Sequence, residues 1–382
     1  MHPSIRRLLA FIAVAMVVDT AAYATITPLL PGIVDDYGLS KSEAGILSAS
    51  YAIGTLVFSL PAAAVASRFG AKLTLLWAMG LLAISSLVFG LAGSAAILTL
   101  ARLMQGFGAA AIWAAALAWV VAIAPREKRA EAMGTVIGAA IAGALGGPVL
   151  GALADAVGRG VVFGAFVALP LVLMAILSRM DAPAPAPTRT LDAVRGAARE
   201  PVMRLGFALM AVPAMGFGLV NVLAPLQLDD YGASALAIGA VFLVGVIFEA
   251  VLSPIAGRAA DARGTLVPAR MGLLAGGVAL GLIPVAWNGL SLAVAVMFAG
   301  PLLGLLWTPA IATLAEGAEL RAINPAFAFG LANLAWGLGT SIGGSAGGAL
   351  ADATRDAVPY VLVAVTSVGF ALALRTRPRV RA

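Results

Sequence analysis

The sequence predicts an all-α membrane protein in which twelve transmembrane helices form two pseudo-symmetric six-helix bundles. Three observations carry that prediction. The 382 residues are 62% hydrophobic and only 11% charged, with a mean hydropathy of +1.02, and a soluble chain of that length needs far more charge to cover its surface. The chain also repeats itself at half length. Pro31–Gly32–Ile33–Val34–Asp35–Asp36–Tyr37–Gly38 returns 194 residues later as Pro225–Leu226–Gln227–Leu228–Asp229–Asp230–Tyr231–Gly232, and Gly45 and Gly70 return at the same interval as Gly239 and Gly264. Gly151–Ala152–Leu153–Ala154–Asp155–Ala156 returns 197 residues later as Gly348–Ala349–Leu350–Ala351–Asp352–Ala353. Third, the basic residues gather on alternate connections between apolar stretches.

A hydrocarbon core of roughly 30 Å takes about 20 apolar residues per helix. In chain order such stretches run over 8–34, 42–66, 72–92, 95–121, 130–154, 160–178, 202–228, 234–259, 266–286, 290–314, 323–350 and 357–375. The first closes on the turn residues Asp35–Asp36–Tyr37–Gly38. Within it Ala22–Tyr23–Ala24 imitates a signal-peptidase site, but apolar helix continues beyond, so no cleavage is expected. Gly93–Ser94 separates the third stretch from the fourth, and Trp287–Asn288–Gly289 the ninth from the tenth. The longest break, 179–201, holds Asp181–Ala182–Pro183–Ala184–Pro185–Ala186–Pro187, an extended tether, and then Arg195 and Arg199, placed to meet anionic headgroups. It divides the chain into 1–178 and 202–382. With the N-terminus inside, only Lys41, Arg159 and Arg355 of the 24 basic residues face outward, and only Arg102 lies within a span. The expectation is a multi-pass protein of the cytoplasmic (inner) membrane with both termini cytoplasmic.

Several chemistries are excluded. There is no cysteine, and the single histidine is His2, which removes thiol chemistry, zinc clusters, haem ligation and any Ser/His or Cys/His pair. None of the three lysines sits in a phosphate-loop frame. An enzyme, a cofactor and nucleic-acid binding are therefore not expected. A half-chain repeat in a membrane chain instead places a site between two similar halves, which rocking exposes to either side.

Separate motifs resemble the major facilitator superfamily along essentially the whole chain. Ala63–Ala64–Val65–Ala66–Ser67–Arg68–Phe69–Gly70–Ala71–Lys72 is similar to the family's GxLaDrxGRk, with serine in place of the aspartate, and Gly257–Arg258–Ala259–Ala260–Asp261–Ala262–Arg263–Gly264 keeps the acid. Arg102–Leu103–Met104–Gln105–Gly106–Phe107–Gly108–Ala109–Ala110 matches RxxxGxGxA. Gly143–Ala144–Leu145–Gly146–Gly147–Pro148–Val149–Leu150–Gly151 is similar to the gxxxGPxxG pattern of antiporters. Asp19, Pro28 and Pro31 look like the start of the drug:proton antiporter branch, which includes vesicular monoamine transporters. Those carriers have acids in helices ten and eleven, where this chain offers Trp307 and Asn333. The resemblance implies the major facilitator fold and a proton-coupled exporter of small amphiphilic, monoamine-like cations, working by alternating access. The alternatives are a transporter of neutral solutes such as sugars, or a receptor or scaffold on the same fold. The expected partners are a small-molecule substrate, protons and membrane lipids, and a monomer is expected.

A charged side chain at mid-bilayer costs ~2.5–3.5 kcal/mol, so Asp19, Arg102 and Glu249 each ask for a reason. Asp19 lies roughly 16 Å along the first helix, near the midplane. It is either the group that exchanges a proton for a cation or a structural acid bonded to Tyr51 or a serine. Glu249 is a second proton site or a partner of Arg258. Arg102 holds a position that the resemblance links to coupling; it otherwise snorkels outward or pairs with Asp19. Around the expected cavity stand Tyr23, Trp113, Trp119, Met215, Phe217, Asn221, Phe298, Trp307, Asn333 and Trp336, which suit a lipophilic cation unless the aromatic ones face lipid. Gly134, Gly138, Ala142 and Gly146, and again Gly339, Gly343 and Gly347, recur every four residues, a spacing that lets helices approach closely. Gly147–Pro148, followed by Gly151, predicts a kink to which the motif assigns gating; Ser345 stands at the second-half position. Arg68, Gly70, Lys72, Gly257, Asp261, Arg263 and Gly264 are expected to latch the cytoplasmic ends, weakly on the first-half side, where Ser67 is expected to cap a helix.

Overall fold

Three of the helix breaks fall just ahead of a proline. A computed structural model describes residues 3–125, 129–182, 196–321 and 325–374. Its helices are α1 (Pro3–Ala24), α2 (Ile26–Tyr37), α3 (Lys41–Phe69), α4 (Ala71–Leu91), α5 (Ala95–Ile123), α6 (Arg129–Val157), α7 (Arg159–Phe166), α8 (Ala168–Ser178), α9 (Pro201–Asp230), α10 (Ala235–Arg263), α11 (Leu266–Leu282), α12 (Gly289–Gly304), α13 (Trp307–Leu320), α14 (Pro325–Ser341), α15 (Gly347–Ala353) and α16 (Ala357–Ala373). The interruptions at Thr25, Val167 and Leu306 each fall three residues before a proline: Pro28, Pro170 and Pro309. A proline ring clashes with the carbonyl four residues back and removes its donor, so the helix yields there. At the first break the Thr25 hydroxyl also bonds back to the Ala21 carbonyl at 2.6 Å. The last interruption is different: a π turn over Ile342–Ala346 joins α14 to α15.

Taken with their breaks, ten units are long and apolar enough to cross a membrane among the described residues. Pro325–Ala353 and α16 complete twelve, in the expected order. Several helices outrun the predicted apolar stretches, α10 to Arg263 and α13 to Leu320, because the chain stays helical past the hydrocarbon until a cap ends it. Gly38 (φ 61°) and Gly70 (φ 86°) end α2 and α3, and their repeats Gly232 (φ 80°) and Gly264 (φ 84°) end α9 and α10. Residues 183–195 of the expected tether, Arg126 and Lys128, and the side chains of Asp261 and Arg263 lie outside the described residues.

In the first bundle α3 and α4 pack on α5, and α1 on α6; in the second, α9 packs on α13 and α14, α10 on α12, and α11 on α16. The bundles meet along two seams, α3 against α14 and α15, and α6 against α10, with α2 against α9 between them. Between the seams the Thr27 hydroxyl donates to Asn221 Oδ1 at 3.1 Å. These residues are 194 apart, the repeat interval, so this bond joins equivalent positions and marks the pseudo-twofold axis.

Glycine sets how closely the helices approach, on a face one residue away from the expected one. Gly134 and Gly138 face open space, and Gly146 is in ordinary contact. The close stripe is Gly143, Gly147 and Gly151, where a Cβ would overlap Thr20, Ala24 and Pro28 of the first span. In the second half Gly339, Gly343 and Gly347 take that role against Ala211, Met215 and Leu219 of α9. α6 continues through Pro148, so the proline expected to bend it, although it removes one ladder bond, does not end the helix. At the motif turn, the Ser67 hydroxyl bonds back to the Ala64 carbonyl instead of capping α4, whose N-cap is Gly70. Lys72 donates to the carbonyls of Ser178 and Met180, within its own bundle, and exposed Arg68 lies over the Phe69 ring. Gly257 faces open space. These contacts do not join the two bundles.

Gly143→Leu should cost about 1–3 kcal/mol or more by forcing α1 and α6 apart. Gly138→Leu should stay within about 0.5 kcal/mol. Unfolding in detergent checks both, and equal losses would return the stripe to the 138 face.

Candidate functional site

Asp19 is wholly buried in α1, where water cannot serve its carboxylate and each oxygen needs a donor. Tyr51 of α3 gives its hydroxyl to Oδ1 at 3.0 Å, and Trp113 of α5 gives its indole N–H to Oδ2 at 3.1 Å. Arg102 lies about three turns from Trp113 on the same face of α5. It is 1% exposed, so it does not snorkel. Nor does it form the expected pair with Asp19. Its Nη1 donates to the Ala22 carbonyl and Gln105 Oε1, and its Nη2 to the Tyr23 carbonyl, all at 3.1 Å. Its guanidinium carbon sits 4.9 Å from the Tyr51 ring centre and 5.7 Å from that of Tyr23. Gln105 is held in turn by Ser86. Tyr51 therefore touches both charged groups, with its hydroxyl on the acid and its face under the cation.

From Tyr51 a tier of rings crosses to the other bundle. Tyr23 lies 4.8 Å from Tyr51, 5.3 Å edge-on from Trp336 and 6.5 Å from Phe217, and Phe217 meets Trp307 edge-on at 6.0 Å. Such separations are those of packed aromatic pairs. At the far end Trp307 is the polar neighbour of Glu249, which is buried in α10. The Glu249 carboxylate fills the place a Cβ would take at Gly304, the last residue of α12. Arg258 is exposed, and no ion pair reaches Glu249 among the described residues, so the expected alternative with Arg258 is not made. Two acids, one in each bundle, thus stand at the ends of one aromatic tier.

Other expected residues lie elsewhere. The Asn221 amide is taken by Thr27 and by the Phe217 carbonyl at 2.8 Å, which makes it a strut between bundles. Asn333 is half-buried a turn before Trp336 and has no hydrogen bond among the described residues. Trp119 is buried in the first bundle's apolar core. Phe298 is exposed beside Phe248, on an apolar groove between α11 and α12 that faces outward from the bundle, which corrects its cavity placement. Sequence reasoning gave Tyr51 only a structural part and did not single out Gln105. The signal available was a tyrosine and a glutamine on helices otherwise built of apolar and small residues.

Two six-helix bundles, each holding one buried acid, make a membrane protein of paired halves, and comparison with known proteins places it among transport proteins rather than enzymes. The chain matches the family model of the Major Facilitator Superfamily over residues 12–324 and again over 207–382, and it belongs to that superfamily. It is 36% identical over 125 residues to Multidrug resistance protein Stp of Mycobacterium tuberculosis, covering 32% of this chain and 23% of that protein. To Multidrug resistance protein 2 of Bacillus subtilis it is 34% identical over 111 residues, covering 29% and 28%. The chain thus spans about a quarter of the length of these curated relatives. MFS-type transporter ppzB of Metarhizium majus is 25% identical over 319 residues, covering 66% of this chain and 70% of that protein. The crystal structure of nucleoside transporter NupG superposes with a TM-score of 0.75 over 96% of this chain and 98% of that one at 13% identity, a likeness of fold.

Tyr51→Phe should cost about 1–3 kcal/mol by leaving a buried carboxylate oxygen without its donor. Combined with Asp19→Leu it should add less than the sum by at least about 1 kcal/mol. Additive losses in unfolding titrations would show that the hydroxyl does not serve Asp19.

Proposed function

We propose that this transporter is a proton-coupled exporter of amphiphilic organic cations, of the drug:proton antiporter kind, working by alternating access in a bacterial cytoplasmic membrane. Residues 1–178 and 202–382 move as two bodies, with both termini cytoplasmic. The observation that carries this reading is Asp19: a wholly buried acid that makes no ion pair among the described residues, bonded by Tyr51 and Trp113 and joined to the aromatic tier through Tyr51. Names of relatives found over part of the chain, among them multidrug resistance proteins, point the same way.

The mechanism follows from charge in a low dielectric. A carboxylate in that setting is satisfied by a proton or by a cargo cation, and one excludes the other. Tyr23, Phe217, Trp307 and Trp336 offer ring faces to a lipophilic cation and apolar area to its body. Arg102 is a positioning residue: Nη1 and Nη2 bond the Ala22 and Tyr23 carbonyls beside the break, so it holds the turn that carries Asp19 without pairing with it. Glu249 gives the second bundle its own acid at the far end of the tier and serves as a second proton site. Proton entry at Asp19 releases the cation on one side, and proton loss on the other readies the site again.

Proteoliposomes with an imposed pH gradient and ethidium as probe test this. Wild type should accumulate the dye, Asp19→Asn should fall to the level of protein-free vesicles, and Glu249→Gln should reduce the driven component. Undiminished gradient-driven uptake in both variants would move the function to neutral solutes.

A further inference from the structure

The two seams between the bundles are built from repeated sequence, but the structure fastens only one of them. Gly45 on α3 and Gly239 on α10 are repeat equivalents, as are Asp352 on α15 and Asp155 on α6. At the first seam the Asp352 carboxylate reaches across to the other bundle. Its Oδ1 accepts the Lys41 N–H at 3.1 Å and its Oδ2 the Ser42 N–H at 2.6 Å. These are the first two residues of α3, whose own cap Ser40 already serves Glu43, so Asp352 takes two of the donors that a helix start leaves free and favours its dipole. Beside it Lys41 Nζ pairs with Asp356 at 2.7 and 2.8 Å. Asp356 is held by Gln227 at 3.1 Å, and Gln227 by the Tyr360 hydroxyl at 3.3 Å. Below these groups the backbones touch, and a Cβ at Gly45 would overlap the Gly344 carbonyl.

The second seam lacks all of this. The Asp155 side chain is exposed and makes no hydrogen bond among the described residues. The start of α10 is served by its own Ser234. A Cβ at Gly239 would stand 3.1 Å from the Pro148 carbonyl, a looser approach than at Gly45. We infer that Asp352 and the Lys41–Asp356 pair form a one-sided latch that holds this end of the transporter closed, and that opening here begins along the unlatched α6–α10 seam. On the orientation set by the basic residues this is the outer face. The inference does not depend on which residue carries protons.

The chain has no cysteine, so spin labels report without background. Label pairs Ile46→Cys with Thr354→Cys, and Val157→Cys with Leu236→Cys, read the two seams by double electron–electron resonance in lipid nanodiscs. Lys41→Gln and Asp352→Asn should each raise the open fraction at the Val157/Leu236 pair about fivefold, the size of losing one helix cap. Asp155→Asn should change it less than about twofold. Lys41→Asp alone should open the protein, and adding Asp356→Lys should close it again, which keeps the test alive if Asp352→Asn does not fold. An open fraction unmoved by Lys41→Gln, no rescue by the charge swap, or an equal response to Asp155→Asn would overturn the latch.

Discussion

Arg102 carries a full charge into the middle of the first bundle and meets no carboxylate there. Three oxygens and two ring faces stabilise it instead, and this compensation orders much of the site. Two of the oxygens are the carbonyls of Ala22 and Tyr23, in the last turn before the break at Thr25. One ring face belongs to Tyr51, whose hydroxyl orients Asp19. Arg102, Tyr51 and Asp19 thus form a chain of contacts joining α1, α3 and α5.

The repeat doubles the fold but not the chemistry. The position 194 residues after Asp19 is Pro213, and the one 194 before Glu249 is Thr55. Each bundle therefore supplies one acid from a different span, and the tier between them is a union of unlike halves. α9 has no counterpart of Pro28, since Val222 stands there, and it runs unbroken through Pro213 and Pro225. Symmetry survives at the paired glycine turns and lapses where side chains do different work.

Much of the architecture was legible because hydrocarbon thickness, helix rise and charge asymmetry are properties of composition along the chain. The repeat gave the halves, and Asp19 and Glu249 stood out because burial makes a lone acid costly. The interruptions were not read from the sequence: the apolar runs cross Thr25, Val167 and Leu306 unbroken, and prolines such as Pro148, Pro213 and Pro225 sit in continuous helix. What sequence hid was azimuth. A glycine every four residues says that some face is smooth, and Gly134 and Gly143 begin two such faces; only the packed neighbour tells which is used. Asn221 reads as a cavity residue until its partner Thr27 is seen, and Tyr51 reads as one more membrane tyrosine. Partners far apart in sequence leave no local trace.

The π turn at Ile342–Ala346 has a consequence for how span eleven is phased. Four residues overshoot a full α-helical turn by about 40°, so a stripe spaced by four drifts around the axis; a wider turn runs the drift backward and keeps Gly339, Gly343 and Gly347 on α9. Beyond it α15 emerges with Asp352 aimed at α3. A π turn is an α-helix carrying one extra residue, so dropping a single codon here would return regular helix and leave the downstream side chains on their faces. Elsewhere in the helix the same loss would swing everything downstream by about 100°, so these five residues can absorb a change of length that the rest of the span would turn into a change of heading.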